Sequence, residues 1–271
     1  MATVIALGMG KGGVGKTTTT VMLCTCLADL GYKVLGVDFD PQGNFSEMST
    51  QITVKEFEDR TIFDAMKEKN PKKYIIKSAY SFDVLPADDY LAFLSKFLYE
   101  DYKDGEVYAF LSDSLDLVKD QYDFILIDLP PNLGDHTVNA LYSADYAIPI
   151  FHPEPFGYDG LERYMGTISF VRDLNPKLSI LGIVTSMMDG VASIDNHFYK
   201  SAQEDYGDLL FRTIIRKRVR IKEFSYLGIQ NKTTKDKMII QPYVHLAKEV
   251  VSRVLKGKAV QTDDAKEKVG S

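Results

Sequence analysis

Two cysteines in 271 residues, Cys24 and Cys26, are too few for a disulfide framework. They are not spaced as a CxxC metal pair, and on an expected helix residues two apart point to different faces. They read as thiols of a reducing, cytoplasmic compartment. The four histidines fall in no metal-ligand spacing and read as structural or surface residues. No apolar run approaches the roughly 18 to 20 residues that a membrane span needs. The start, "MATVIALGMG", lacks the basic leader and cleavage site of a signal peptide, so no membrane association is expected. Basic charge is also in deficit: 32 Lys and Arg against 38 Asp and Glu give −6. The molecule as a whole repels nucleic acid, and any DNA contact must come from a local basic patch.

What is present suits a soluble α/β protein. Hydrophobic residues make up 45% and charged residues 26%, and the length suffices for one well-buried core. Short β-rich runs alternate with helical patterns. Strands are expected at 3–8, 33–38, 81–86, 123–128, 146–150 and 178–186. Helices are expected at 16–30, 61–69, 88–99, 107–120, 134–143, 157–174, 193–206 and 242–256. The strands are almost continuously hydrophobic, which predicts cover on both faces. The fold class is therefore a single doubly wound, mostly parallel sheet with helices on both faces. Residues 1–256 form that domain, without internal repeat, and the polar stretch 257–271 reads as a flexible tail. A first strand starting at residue 3 leaves no room for a DNA-reading module before it.

"GKGGVGKT", Gly10 to Thr17, fits GxxxxGK[ST] with a strand before it and a helix after it. The backbone of Gly10, Lys11, Gly12, Gly13, Val14 and Gly15 can wrap a phosphate, and the helix beginning near Gly15 adds its positive end. Lys16 reaches the β- and γ-phosphates of ATP, Thr17 ligates Mg²⁺, and Thr18 sits at the α-phosphate. Two acidic stations follow. Asp128 closes the buried strand "DFILID", where a carboxylate holds the Mg²⁺ shell. Asp38 and Asp40 end the second strand in "GVDFDPQGN". They share a face if the strand continues, with Asp38 nearer the metal and Asp40 placed to orient water. Lys11 is a lysine more than the motif requires.

These segments resemble the deviant Walker A ATPases of the ParA/MinD group, and within it the ParA partition proteins. The resemblance rests on "KGGVGKTTT" (11–19), "VDFDPQGN" (37–44), "YDFILIDLPPNLG" (122–134), "PEPFGYDGLE" (153–162) and "LNPKLSILGIVTSMMD" (174–189), in family order over about residues 1–256. It implies an ATPase that dimerises on Mg-ATP, with Lys11 crossing to the partner's phosphates; Lys11, Lys16 and Asp40 are then the catalytic set. A cation supplied in trans offsets the repulsion between two facing triphosphates in a dry interface. Phe156 is expected at that interface. MinD-like relatives end in an amphipathic membrane helix, whereas the stretch after 257 has no apolar face. Iron–sulfur relatives need cluster cysteines in other positions.

The resemblance further implies nonspecific DNA binding as a dimer on the nucleoid, and a ParB-like centromere-binding protein that triggers hydrolysis, for a plasmid or mobile element. The local basic patch is "RTIIRKRVRIK" (212–222). If extended, it places Arg216, Arg218, Arg220 and Lys222 on one side as a phosphate-binding stripe; the alternative is an edge strand whose cations discourage aggregation. Lys232, Lys235, Lys237, Lys248 and Arg253 could extend the surface. The family's usual Pro-Arg-Asn is replaced here by Arg216-Lys217-Arg218, and its Ala-Pro-Ser turn by "EFSYLG" (223–228), so which residues of this region contact adenine stays open. Two other functions stay open: an ATPase that positions a protein cargo on the nucleoid, and a metabolic ATP-dependent enzyme.

Overall fold

In the strand Thr3–Gly8 (β1) every residue is buried. Ile5 and Leu7 enter one hydrophobic cluster, while Val4 and Ala6 enter another on the opposite face. That two-residue alternation is the signature of a strand covered on both sides. The computed structural model describes residues 1–269 except 104, 190–192 and 232; for residue 225 and residues 258–269 it describes the backbone alone.

After β1 come α1 (Lys16–Asp29), β2 (Val34–Asp38), α2 (Asn44–Thr50), α3 (Ile62–Lys67), β3 (Ile76–Lys77) and β4 (Asp83–Leu85). The middle of the chain forms α4 (Leu94–Glu100), α5 (Phe110–Asp116), β5 (Phe124–Asp128), α6 (Asp135–Ser143) and β6 (Tyr146–Phe151). The remainder forms α7 (Pro155–Leu174), β7 (Ser179–Ile180), β8 (Ile183–Met188), α8 (Ser193–Tyr206), β9 (Leu210–Arg216), α9 (Val219–Leu227) and α10 (Thr234–Val269). The strands lie in the order β3-β4-β2-β5-β1-β6-β8-β9, with β7 also on β6. Every pairing is parallel except β3 with β4. Helices α1, α2 and α10 cover one face and α3 to α7 the other, so the doubly wound sheet expected from the sequence is the fold.

Several expected elements differ in detail. The strand expected at 178–186 is two strands, because the chain breaks at Leu181–Gly182 and rejoins β6 further along. A Cβ at Gly182 would lie 2.4 Å from the Arg253 guanidinium and 2.7 Å from the Phe211 ring; the break is where α10 and β9 press onto the backbone. Helix α10 begins at Thr234, not at Pro242, which lies inside it. Its start is fixed by a reciprocal box: Asp236 Oδ2 accepts from the Thr233 amide at 3.1 Å, and Thr233 Oγ1 accepts from the Asp236 amide at 3.1 Å. The same helix runs on through most of the expected tail to Val269, and the side chains beyond Gly257 lie outside the described residues.

Strand register sets the site. Leu7 of β1 and Asp38 of β2 both pair with Asp128 of β5, so three central strands end level. Ligands in open α/β sheets bind at such carboxyl ends. The loop between β1 and α1 lies over this edge.

Candidate functional site

The glycine-rich loop is shaped by backbone that only glycine adopts easily. Gly15 has φ +86°, and a Cβ there would sit 3.0 Å from Ser186 Oγ. It turns the chain directly into α1, leaving the helix's first amides facing the loop's hollow. That hollow is part of a cavity of about 490 Å³ lined by Gly12, Gly13, Gly15, Lys16, Thr17 and Thr18. Gly10, Lys11 and Val14 belong to the loop but not to the cavity lining; Val14 is buried in the core.

Lys16 folds back along the loop and donates to the Lys11 carbonyl at 3.0 Å. Burial pulls its ammonium below the usual lysine range, a shift that Asp128 and then Asp40 partly offset. Asp128 is fully buried and accepts from Thr17 Oγ1 at 2.8 Å and from Thr20 Oγ1 at 2.7 Å. Burial pushes its carboxyl up to about 6, against those two donors. Thr20 did not figure in the sequence reading, although its place four residues after Lys16, on the same helix face, was available.

Asp38 and Asp40 do not share a face. Strand β2 stops at Asp38, and the Pro41-containing turn carries Asp40 elsewhere. Asp38 Oδ2 accepts from the Ser46 amide at 2.8 Å and the Ser46 hydroxyl at 2.7 Å, at the start of α2. Burial, then the neighbouring Asp128, pushes its carboxyl up to about 8. Asp40 lines the cavity, with Oδ1 accepting from the Gln42 amide at 3.0 Å; Oδ2 has no protein partner among the described residues. The oxygen set of Thr17, Asp40 and Asp128 around a phosphate cradle suits a hard cation such as Mg²⁺, which uses one or two carboxylates plus phosphate oxygens. Among the described residues no group of three or more His, Cys, Asp or Glu could hold a metal by itself.

The far wall comes from β8, β9, α9 and α10. Met187 has φ +56°, uncommon for a side-chain-bearing residue. It lies where the β8–β9 register slips between Thr185 and Met188, and this bulge presents Ser186 and Met187 to the cavity. Ile215, Arg216, Lys217, Arg218, Ile221 and Lys222 continue the wall. The extended basic stripe does not form. Strand β9 ends at Arg216, Arg218 is the residue preceding α9, and Arg220 and Lys222 lie two apart on that helix, on different faces. Arg220 is bound to Glu223 and, at 3.0 Å, to Asp236. Among the described residues Arg216, Lys217, Arg218 and Lys222 have no ion-pair partner. Arg253 is also committed, donating to the carbonyls of Leu181, Leu209 and Leu210 at 2.8 to 3.1 Å. Lys232 lies outside the described residues.

Lys11 turns away from the cavity. Its ammonium contacts Glu154 Oε1 and lies 5.7 Å from the centre of the Phe156 ring, which is 71% exposed.

The chain is similar to known proteins over most of its length. The family model of an AAA domain (AAA_31) matches residues 2–180. The chain is 35% identical over 260 residues to the chromosome partitioning protein ParA of Caulobacter vibrioides, covering 92% of this chain and 94% of that one. It is 32% identical over 263 residues to the sporulation initiation inhibitor protein Soj of Bacillus subtilis, covering 93% and 99%. In structure it is similar to cobyrinic acid a,c-diamide synthase from Mycobacterium smegmatis with bound ADP and magnesium, with TM-score 0.81, 24% identity, and 95% and 97% of the two chains covered. That last likeness shows the fold alone. The sequence relatives carry the family: this chain belongs to the ParA family of P-loop ATPases.

Proposed function

We propose that the protein is a DNA-partition ATPase of a plasmid or mobile element, whose two copies close face to face over Mg-ATP, bind DNA without sequence preference and hydrolyse when a ParB-like centromere-binding partner engages. One observation carries the reading. The loop has two lysines, and only Lys16 serves its own cavity, while Lys11 stands outside it with an exposed aromatic ring beneath. A cation so placed suits a facing triphosphate. ATP carries about four negative charges, and two of them in a dry interface repel unless a cation arrives from across.

Within that reading Lys16 and Lys11 neutralise the charge that develops on the transferred phosphoryl group, and Asp40 orients the attacking water with its free oxygen. Thr17 and Asp128 would hold Mg²⁺, which when bound would supply positive charge to offset that of the phosphates. Asp38 would act through the neighbouring Asp128. Arg216, Arg218 and Lys222 supply the DNA contact; Arg220 is bound to α10 and fixes α9 in place. The chromosome partitioning role in the name of the Caulobacter vibrioides relative supports the DNA-segregating role over a cargo-positioning or metabolic one.

The test is Lys11→Ala, measured by light scattering with ATP and Mg²⁺. The variant should remain a folded single protomer while the wild-type chain dimerises. An intact ATP dimer of the variant removes the reading. ATPase rates with and without DNA and the adjacent gene product separate the partition role from a metabolic one, whose turnover would respond to neither.

A further inference from the structure

Lys11 is held where it is by something other than solvent. Glu154 precedes α7 in the connection from β6, and its Oε1 contacts the Lys11 ammonium. His152 Nδ1 lies 3.3 Å from the same oxygen. Helix α7 passes close beside the loop at Gly160, where a Cβ would lie 3.7 Å from the Lys11 Cβ. The Phe156 ring completes the seat. Lys11 holds the Glu154 carboxyl below the usual glutamate range. The two side chains are 29% and 31% exposed, so the pair is neither locked in the core nor loose in water.

We propose that Glu154 is the positioning residue for Lys11: in the single protomer it seats the ammonium against its own chain, and Lys11 exchanges this carboxylate for the phosphates of a second copy when two nucleotide-loaded protomers meet. The inference rests on the reading of Lys11 as a cation acting in trans, and supplies what that reading lacks, a reason for protomers without triphosphate to stay apart. A bare lysine would be available to any anionic surface. Seated on Glu154, it leaves only for a stronger anion, and a triphosphate in a closing, water-excluding interface is one. Glu154 is well suited to be exchanged without cost to the fold, because its side chain makes no capping hydrogen bond to α7.

A partly exposed ion pair of this kind is worth a factor of roughly two to five in an equilibrium. Each dimer releases two, so removing the charge should tighten the ATP dimer roughly four- to twenty-fivefold. The experiment is sedimentation equilibrium of the full chain with ATP and Mg²⁺, comparing wild type, Glu154→Gln and Glu154→Asp at low and high salt. Glu154→Gln should dimerise more tightly than wild type. The advantage should shrink as salt screens the wild-type pair, and Glu154→Asp, which keeps the charge, should lie between the two. Thermal melting of each variant checks that the fold is retained.

Dimerisation of a folded Glu154→Gln that is unchanged or weaker overturns the inference. So does an advantage that salt leaves untouched, because the carboxylate's charge would then not be its cause. The Lys11→Ala control distinguishes the two levels. If it dimerises normally, the trans reading itself is wrong and this inference falls with it. If it stays single while Glu154→Gln matches wild type, the trans reading stands and Glu154 alone is removed from it.

Discussion

Replacing Asp38 by Asn should stabilise the protein in the absence of nucleotide and metal, and only above acidic pH. Asp38 has no exposed surface, and its nearest titrating neighbour across the sheet is Asp128, equally buried. Its carboxyl is pushed from 3.8 up to about 8, by burial first and by Asp128 second. Well below pH 3.8 the group is protonated in both folded and unfolded chains and contributes no pH dependence. As pH rises above 3.8 the unfolded chain releases this proton and the folded one does not, so stability falls with pH until the folded group titrates near 8. At about 1.4 kcal/mol per pH unit, the loss accumulated by pH 7.5 has a ceiling of about 5 kcal/mol. Water penetration and relaxation around the buried pair should reduce it to roughly half. An amide oxygen still accepts from the Ser46 amide and hydroxyl, so Asp38→Asn keeps the start of α2 and removes the charge penalty, giving up the 3.2 Å bond that Oδ1 accepts from the Asp40 amide. Urea unfolding of both chains should give equal stabilities near pH 4 and a variant more stable by about 2 to 3 kcal/mol near pH 7.5. A variant equally destabilised at both pH values would refute the argument: the carboxylate would then be ionised in the fold and serving Ser46 as an anion.

Gly15→Ala should abolish nucleotide binding in a chain that still folds, because the residue would need φ +86° with its methyl 3.0 Å from Ser186 Oγ; isothermal titration with an ATP analogue, alongside circular dichroism, checks both halves. Arg253→Ala should destabilise by about 2 to 4 kcal/mol, since three carbonyls and Glu249 lose a charged donor and the Phe211 ring its cover. A urea midpoint within error of wild type would show that the α10–β9 junction does not depend on it.

The sheet was legible in the sequence because its central strands are buried on both faces and so are hydrophobic almost without interruption. The phosphate loop was legible because its glycines and Lys16 are required by position. What escaped is set by tertiary contact. The sequence offers 212–222 as one basic run, either a phosphate-binding stripe or an edge strand, and nothing local marks the end of β9 at Arg216. Its register on β8 also shifts between Ile183 and Thr185, and there Glu249 accepts from the Arg212 and Thr213 amides. Helix α2 is short, and its turn follows from Gly43 at φ +63° and from Asp38, not from periodicity. The seat of Lys11 joins residues 143 apart in the chain, and no local pattern announces it. The α10 start, in contrast, was readable: "TTKD" (233–236) holds a box that a proline at 242 disguised.

The basic segment 216–222 has two claims on it, and the geometry makes them separable. Its free cations line the nucleotide cavity, yet they are also the cations the proposed DNA contact would use. If Arg216 and Arg218 reach inward to the nucleotide, Arg216→Ala with Arg218→Ala should raise the ATP KM while leaving the salt dependence of DNA binding unchanged. If they reach outward to phosphates, the slope of log affinity against log salt should fall by about two for each protomer on the DNA, roughly one per lost contact, with KM unmoved. A change in both would mean that the same side chains serve both ligands, so that nucleotide occupancy changes the cation count available to DNA directly, without a structural relay. In an acidic chain, where each uncommitted cation in this segment is a large fraction of the local positive charge, sharing is the arrangement that couples the two ligands through the fewest residues. An unaltered KM together with an unaltered slope would exclude the segment from both roles.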